Sequence, residues 1–392
     1  MATTGRGIIL SGKLKKKTDR SRRDVNSPRC QPYKVIRRDA CRVYDRIYAA
    51  IYGQCVGDAL GLLTETQSKE EAKKLYGPVC NKFQLVHKKM LADAHRRKWD
   101  VYDWTDETDH MILLIQSLVE NKGQVVPEDI AKRLMEWLER GFPELGDVCG
   151  PGLCSFTKNV VNHPQFSEAP DKAAEIVWRD CRSLRATNCA LARAPMSGIH
   201  YYHVLGKVIK NSLDICSITH VDPSCQASCV AVATVMSALL QKDEKHLKKT
   251  GDYDIDSIIE EAFSYGCRCM LGRPYSDIKE FKKILYTTSL KDLKLDERGK
   301  INHTYKTLGA GFWALKQKDF RTAIRDIVME GGDADANASL AGAFLGCKLG
   351  LDAIPPTWIQ DLKHRRWLDK VIDSYFNIME KGKFHPKIET TV

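Results

Sequence analysis

No stretch of this chain reaches the roughly 18–20 apolar residues that a bilayer crossing requires. The best candidate, Ala227 to Leu240, is too short and is interrupted by Ser228 and Ser237. Strand-like alternation of apolar and polar residues is hard to find anywhere, which argues against a sheet-built fold. Internal repeats are absent, and so is the CxxC spacing of a zinc site. The fourteen cysteines are scattered, and several lie inside apolar stretches (Cys55, Cys216, Cys229, Cys347). The closest pairs along the chain are Cys225/Cys229 and Cys267/Cys269. With no secretory signal ahead of them, the cysteines are expected to be reduced thiols of an intracellular protein, mostly acting as small core hydrophobes.

Acid is scarce at one end only. Residues 1–42 hold 13 Lys and Arg against three acids (Asp19, Asp24, Asp39), whereas the remaining 350 residues hold 48 against 47. The formal charge of +11 therefore belongs to a tail, and the nearly neutral body is not a nucleic-acid-binding core. Such a tail buries too little to offset its ordering entropy, so residues 1–42 are expected to be disordered. Its Lys13–Lys17 and Arg20–Arg23 clusters suit a nuclear-targeting or polyanion-binding arm, or a solvated leader. The lack of acid before Asp19 adds a mitochondrial presequence as a third, less favoured reading. Cytoplasm or nucleus is the expected location, and nucleic acid is a partner through this tail alone.

Helical periodicity fills the rest. Val43, Ile47, Ala50 and Ile51 recur at three and four, as do apolar residues over Met111–Val119 and Ile130–Leu138. Pro127 with Glu128 and Asp129 marks a start, and Gly141 a stop. Ser224 to Leu240 and Ile255 to Tyr265 read as further helices. The body is expected to be all-α, and a 43% hydrophobic fraction is ample for its core.

Two helix starts are unusually acidic. Trp104-Thr105-Asp106-Glu107-Thr108-Asp109-His110 precedes the apolar run from Met111, and first-turn acids suit the helix dipole and its free N–H groups. Capping requires one oxygen, whereas five side chains here carry one. Gly331-Gly332-Asp333-Ala334-Asp335-Ala336-Asn337 opens a helix of small residues that neighbours can approach closely. Asp333 and Asp335 cannot share a face of a regular helix, but at a turning start both can aim at one point. Carboxylates and threonines without Cys or His form a hard-oxygen donor set suited to Mg²⁺, Mn²⁺ or Ca²⁺. Capping alone is the other reading.

In order along the chain stand Gly57-Asp58-Ala59-Leu60-Gly61 followed by Glu65, then Trp104 to Thr108, Asn188 to Arg193, Thr219-His220-Val221-Asp222-Pro223, Gly331 to Ala336, and Ile354 to Trp358. From about Tyr44 to Trp367 this series resembles the ADP-ribosylglycohydrolases. The resemblance implies a compact orthogonal helical bundle over residues 43–380 with a central metal cleft, leaving 381–392 as a flexible C-terminal tail. It further implies two Mg²⁺ ions, with Mn²⁺ possible, held by Thr105, Asp106, Glu107, Asp333 and Asp335. Glu65 and Asp106 would be catalytic, and Asn188 and His220 would lie near the bound ADP-ribose. The implied substrate is an ADP-ribosylated protein or an ADP-ribose derivative, with no membrane partner. His110 reads as structural.

Three positions depart from the family's usual motifs. Glu107 stands in place of Asp, Ala336 in place of Thr, and Cys189 in place of Gly, with Ala192 in place of Met nearby. Two functions therefore stay open at this point. One is Mg²⁺-dependent hydrolysis of the bond linking ADP-ribose to its carrier. The other is a catalytically impaired ADP-ribose-binding or structural protein on the same fold, as the lens J-crystallins are.

Overall fold

The computed structural model describes residues 38–82, 90–181 and 186–381. Among them are 17 α-helices and no sheet; β pairing is limited to isolated bridges between Thr187 and His303 and between Leu247 and Tyr253. The all-α expectation holds. One boundary is corrected: the first helix spans Arg38–Gly61 and so begins inside the segment expected to be tail. Its charged first turn carries no apolar period, which hid the start. Residues 1–37 of that segment, and 382–392 of the expected C-terminal tail, lie outside the described residues.

Local chemistry sets the helix ends. Pro127–Arg140 begins on its proline and stops at Gly141, which takes φ +59° and donates its N–H to the Trp137 carbonyl at 2.7 Å. Lys69–Tyr76 opens with a Ser68/Glu71 capping box. Asp222 caps Pro223–Gln241 by accepting from the Ser224 N–H at 2.8 Å. This helix extends the apolar stretch read from the sequence at both ends. Its 19 residues and mean hydropathy of 1.5 would suffice to cross a membrane, yet 83% of that window is buried within the fold, where it forms a core helix.

A seam of small residues positions the site. Gly53, Gly57 and Gly61 of Arg38–Gly61 face Ala338, Gly342 and the start of Ala334–Leu349. A Cβ at Gly57 would lie 2.0 Å from the Ala338 carbonyl oxygen, and one at Gly342 would lie 1.9 Å from the Gly53 carbonyl oxygen. The two backbones are therefore in direct contact, as the small residues after Asp335 lead one to expect. In the surrounding core, Trp137, Trp358, Phe312 and Phe344 are fully buried, each contributing about 1.5–3 kcal/mol. The close approach brings Asp58, near the end of the first helix, beside the starts of the Asp106–Glu120 and Ala334–Leu349 helices.

Candidate active site

Thr105 is the N-cap of Asp106–Glu120, its hydroxyl accepting from the Glu107 N–H. The same threonine rests on Asp58, which lies inside the first helix and is fully buried. Asp58 accepts from the Thr105 N–H and hydroxyl at 3.0 and 2.7 Å, and from those of Thr108 at 2.9 and 2.6 Å. One carboxylate thus satisfies several donors of the buried helix start. Burial pushes its pKa from 3.8 to about 6 against the pull of these bonds.

The second acidic start depends on its glycines. Gly331 and Gly332 have φ +70° and +72°, a conformation that side chains disfavour. Gly332 exchanges hydrogen bonds with the turn after Glu65, donating to the Gln67 carbonyl at 2.8 Å and accepting from the Thr66 N–H at 2.7 Å. Any Cβ at Gly331 would strike the Gln67 carbonyl at 2.3 Å. This docking sets Glu65 beside Asp333 and Asp335. Single carboxylate oxygens of the three lie within 4.8 Å of one another, close enough to hold one cation.

Glu65 is also gripped from outside. His95 Nε2 lies 2.5 Å from Glu65 Oε2. The adjacent Arg96 is buried and donates to the carbonyl oxygens of Leu62, Leu63 and Glu65, while it pairs with Asp93. Thr66 adopts φ +65°, so the turn is bent as well as clamped.

The electrostatics of the assembled site are one-sided. Among the described residues no Lys or Arg forms an ion pair with Asp106, Glu107, Asp333 or Asp335. Burial first, then the charge of Asp335, pushes Glu65 from 4.5 to about 7. Burial first, then the charge of Glu65, does the same to Asp333. Asp106, Glu107 and Asp335 are driven well above the ordinary carboxylate range, by burial and then by neighbouring carboxylates. Asp106 sits under the exposed turn at Gly152, where a Cβ would lie 2.0 Å from its Oδ1. Ala336 is buried at the second start and offers its N–H to Asp335 Oδ1 at 2.9 Å.

Asn188 reaches this group directly. Its Nδ2 donates to Asp333 Oδ2 at 3.0 Å and to the Thr307 hydroxyl at 2.8 Å. His220 does not: its ring is buried, with Nε2 2.6 Å from the Thr187 hydroxyl and Nδ1 2.8 Å from that of Thr219. Burial and then Arg193 pull His220 down to about 3, so the ring is neutral and acts as a brace in the wall. His110 is likewise buried, packs edge-on against Trp137, and is pulled down to about 3 by burial and Arg193.

Sequence reasoning left Asp58, His95 and Arg96 out of the site. A carboxylate at 58 inside an apolar helix was a usable signal for the first. His95 and Arg96 lie in a run, Asp93 to Lys98, that reads as an exposed basic loop. Nothing local tied it to a glutamate 30 positions away.

An all-helical fold that gathers carboxylates from two helix starts and one clamped turn defines a class of protein with a buried acidic cleft. The chain belongs to the ADP-ribosylglycohydrolase family, whose model matches residues 40–383, and it is a hydrolase acting on glycosyl bonds. It is similar to the ADP-ribosyl-[dinitrogen reductase] glycohydrolase of Rhodospirillum rubrum, at 24% identity over 334 residues, covering 85% of this chain and 96% of that one. It is also similar to an ADP-ribosylarginine hydrolase of Pseudomonas putida, at 22% identity over 337 residues, covering 85% of this chain and 78% of that one. A solved ADP-ribosylglycohydrolase-related protein complex superposes with a TM-score of 0.57 and 20% identity, over 86% of this chain and 99% of its own, which speaks for the fold.

Proposed function

We propose that this chain uses Mg²⁺ to hydrolyse the glycosidic bond between ADP-ribose and a modified protein side chain or a related small molecule. The observation that carries this reading is the gathering of Glu65, Asp106, Glu107, Asp333 and Asp335 in one largely buried site where, among the described residues, no Lys or Arg pairs with them and only His95 touches Glu65. Five such carboxylates repel one another in a low dielectric, and a bound divalent cation removes that cost. The donors are all oxygens, which fits Mg²⁺, with Mn²⁺ as the alternative, and does not fit zinc. Thr105, Asp106, Glu107, Asp333 and Asp335 would hold the pair, with water in the position that Ala336 leaves without a ligand. When bound, the ions supply positive charge that orients ribose hydroxyls and a water.

The chain's own groups do the rest. Glu65, poised near neutrality and aligned by His95, holds a proton that can pass to the departing nitrogen of an arginine linkage or the departing oxygen of a serine linkage. Asp106 accepts a proton from the attacking water, the second carboxylate role that glycoside hydrolysis needs. Asn188 fixes the Asp333 carboxylate, and the Gly152 turn screens Asp106 from solvent.

Both named relatives act on ADP-ribosylated substrates, and the Pseudomonas putida relative on arginine-linked ones, so that linkage is the first to try. The test is turnover on arginine- and serine-ADP-ribosylated peptides with Mg²⁺ and then with EDTA, read by mass spectrometry. Release that stops with EDTA is expected, and Asp335→Asn should lower kcat/KM by at least about a hundredfold. Release unaffected by EDTA would remove the metal from the reading. Absence of release, with ADP-ribose still bound by calorimetry, would leave a binding protein on this scaffold.

A further inference from the structure

We propose that Cys154 and Cys189 form a hydroperoxide-reactive dithiol that closes to a disulfide in the wall of the acidic site. The two residues lie on different segments. Cys154 directly precedes the Ser155–Val161 helix, and Cys189 opens the short Cys189–Ala192 turn. The fold nevertheless sets their sulfurs 3.0 Å apart, with the Cys189 thiol donating to Cys154 Sγ. A disulfide needs about 2.05 Å, so the sulfurs must close by about 1 Å, a side-chain-scale movement.

The pair is asymmetric in a way that divides the chemistry. Cys154 is partly exposed, whereas Cys189 is only 4% exposed. Around the Cys154 sulfur stand the hydroxyls of Thr157 at 3.2 Å and Thr187 at 3.8 Å. The hydrogen bond from Cys189, followed by those from the threonines, outweighs burial and brings Cys154 down to about 6. Cys189 is pushed the other way, first by its bond to Cys154, then by burial and the nearby carboxylates Glu107 and Asp106. Cys154, the more exposed of the two and the acceptor of the Cys189 hydrogen bond, is therefore the attacking sulfur, and Cys189 is the shielded partner. Cys216 and Cys229, also close to one another, are both buried, and their mutual bond, followed by burial, raises Cys216.

The chemistry balances with one hydroperoxide. The Cys154 thiolate attacks the terminal peroxide oxygen. An S–O bond forms, the O–O bond breaks, and the alcohol departs after taking a proton from solvent, leaving a sulfenic acid. The Cys189 sulfur then attacks Cys154 Sγ. The S–S bond forms, the S–O bond breaks, and hydroxide leaves as water with the Cys189 proton. The two thiols lose two electrons, and the peroxide is reduced to alcohol and water. Both partners adjoin the site: Asn188, one residue before Cys189, holds Asp333, and Gly152, two before Cys154, covers Asp106. Closing the bond draws these two walls together.

The test uses the full-length protein, reduced and desalted, then treated at pH 7 with an equimolar amount of hydrogen peroxide and mapped without reduction by mass spectrometry. The expected product is a Cys154–Cys189 cross-linked peptide lighter by two hydrogens, restored by dithiothreitol. Iodoacetamide should label Cys154 at least about tenfold faster than the exposed Cys149. In Cys189→Ser the sulfenic acid on Cys154 should persist long enough to be trapped by dimedone. Oxidation of other cysteines while this pair stays reduced would overturn the proposal, as would conversion of wild-type Cys154 to the sulfinic acid without a cross-link. The wild-type map decides the matter even if a variant fails to fold, and it does not depend on which ADP-ribose linkage is cleaved.

Discussion

Asp58 shows how much one side chain can organise. It lies beneath the Thr105–Thr108 turn and receives both backbone N–H groups and both hydroxyls. Asp58→Ala would strand four donors in a dry interior, so stability in urea should fall by about 3 kcal/mol. A loss below about 1 kcal/mol would mean that another group holds this helix start. Asp109, one helical turn further along, has a comparable role. It accepts from the indole N–H groups of Trp104 at 2.8 Å and Trp137 at 3.0 Å. The acids between Thr105 and Asp109 thus divide by direction. Asp106 and Glu107 face the cleft electrostatically, whereas Asp109 is spent on two tryptophans. Spacing alone did not separate these duties, because all of them suit a helix N-terminus equally well.

Among the elements, the contact between the Arg38–Gly61 and Ala334–Leu349 helices carries the site. Its closeness rests on positions without side chains, so a single methyl group is a severe test. In Gly57→Ala the new Cβ would meet the Ala338 carbonyl carbon at 2.6 Å as well as its oxygen, both backbone atoms that cannot step aside. The helices must separate, and a loss of about 3 kcal/mol or more is expected by thermal or chemical unfolding. Gly206→Ala is the matched control. It lies in the Leu205–Ser217 helix with nothing within 4 Å of a new Cβ, and it should be neutral or stabilising by up to about 1 kcal/mol. Equal losses at both positions would show that the seam is not tight. Small residues after Asp335 announced one side of this contact in the sequence. The matching glycines of the first helix passed unnoticed because they are dispersed among large apolar residues.

At the scale of the whole molecule, the excess of buried acid makes stability depend on pH in an unusual direction. Glu65 and Asp333 are raised to about 7, well above their ordinary values of 4.5 and 3.8. Their stabilising protons are held by the folded state below these folded pKa values and are lost as pH rises through 7. His110 and His220, lowered from 6.5 to about 3, act oppositely: the unfolded chain takes up their protons as pH falls below 6.5. Cys154, lowered from 9.0 to about 6, also opposes the two carboxylates between pH 9 and 6. Asp106, Glu107 and Asp335, driven well above the ordinary carboxylate range, act with Glu65 and Asp333 and outnumber it, so the window is pH 8 to 6.5. There, EDTA-treated protein should gain several degrees in Tm as pH falls, and saturating Mg²⁺ should raise Tm and flatten the slope. A Tm that falls or stays level between pH 8 and 6.5 in EDTA would contradict the acidic-cleft electrostatics.

What the sequence determined by itself was local. Hydrogen bonding within four residues, apolar period and end-capping chemistry placed a helix between Pro127 and Gly141 and others over Ser224–Leu240 and Ile255–Tyr265, within a residue of the observed ends, and marked two starts as acidic. Family motifs in order then fixed the fold. The tertiary structure alone decided which groups meet: Glu65 with Asp333 and His95, Asp58 with Thr105 and Thr108, and Cys154 with Cys189. These partners are remote along the chain, so no local period records them. They meet because two helix backbones pack in contact and glycines at 331 and 332 let a turn dock against them, which are properties of packing rather than of any one segment.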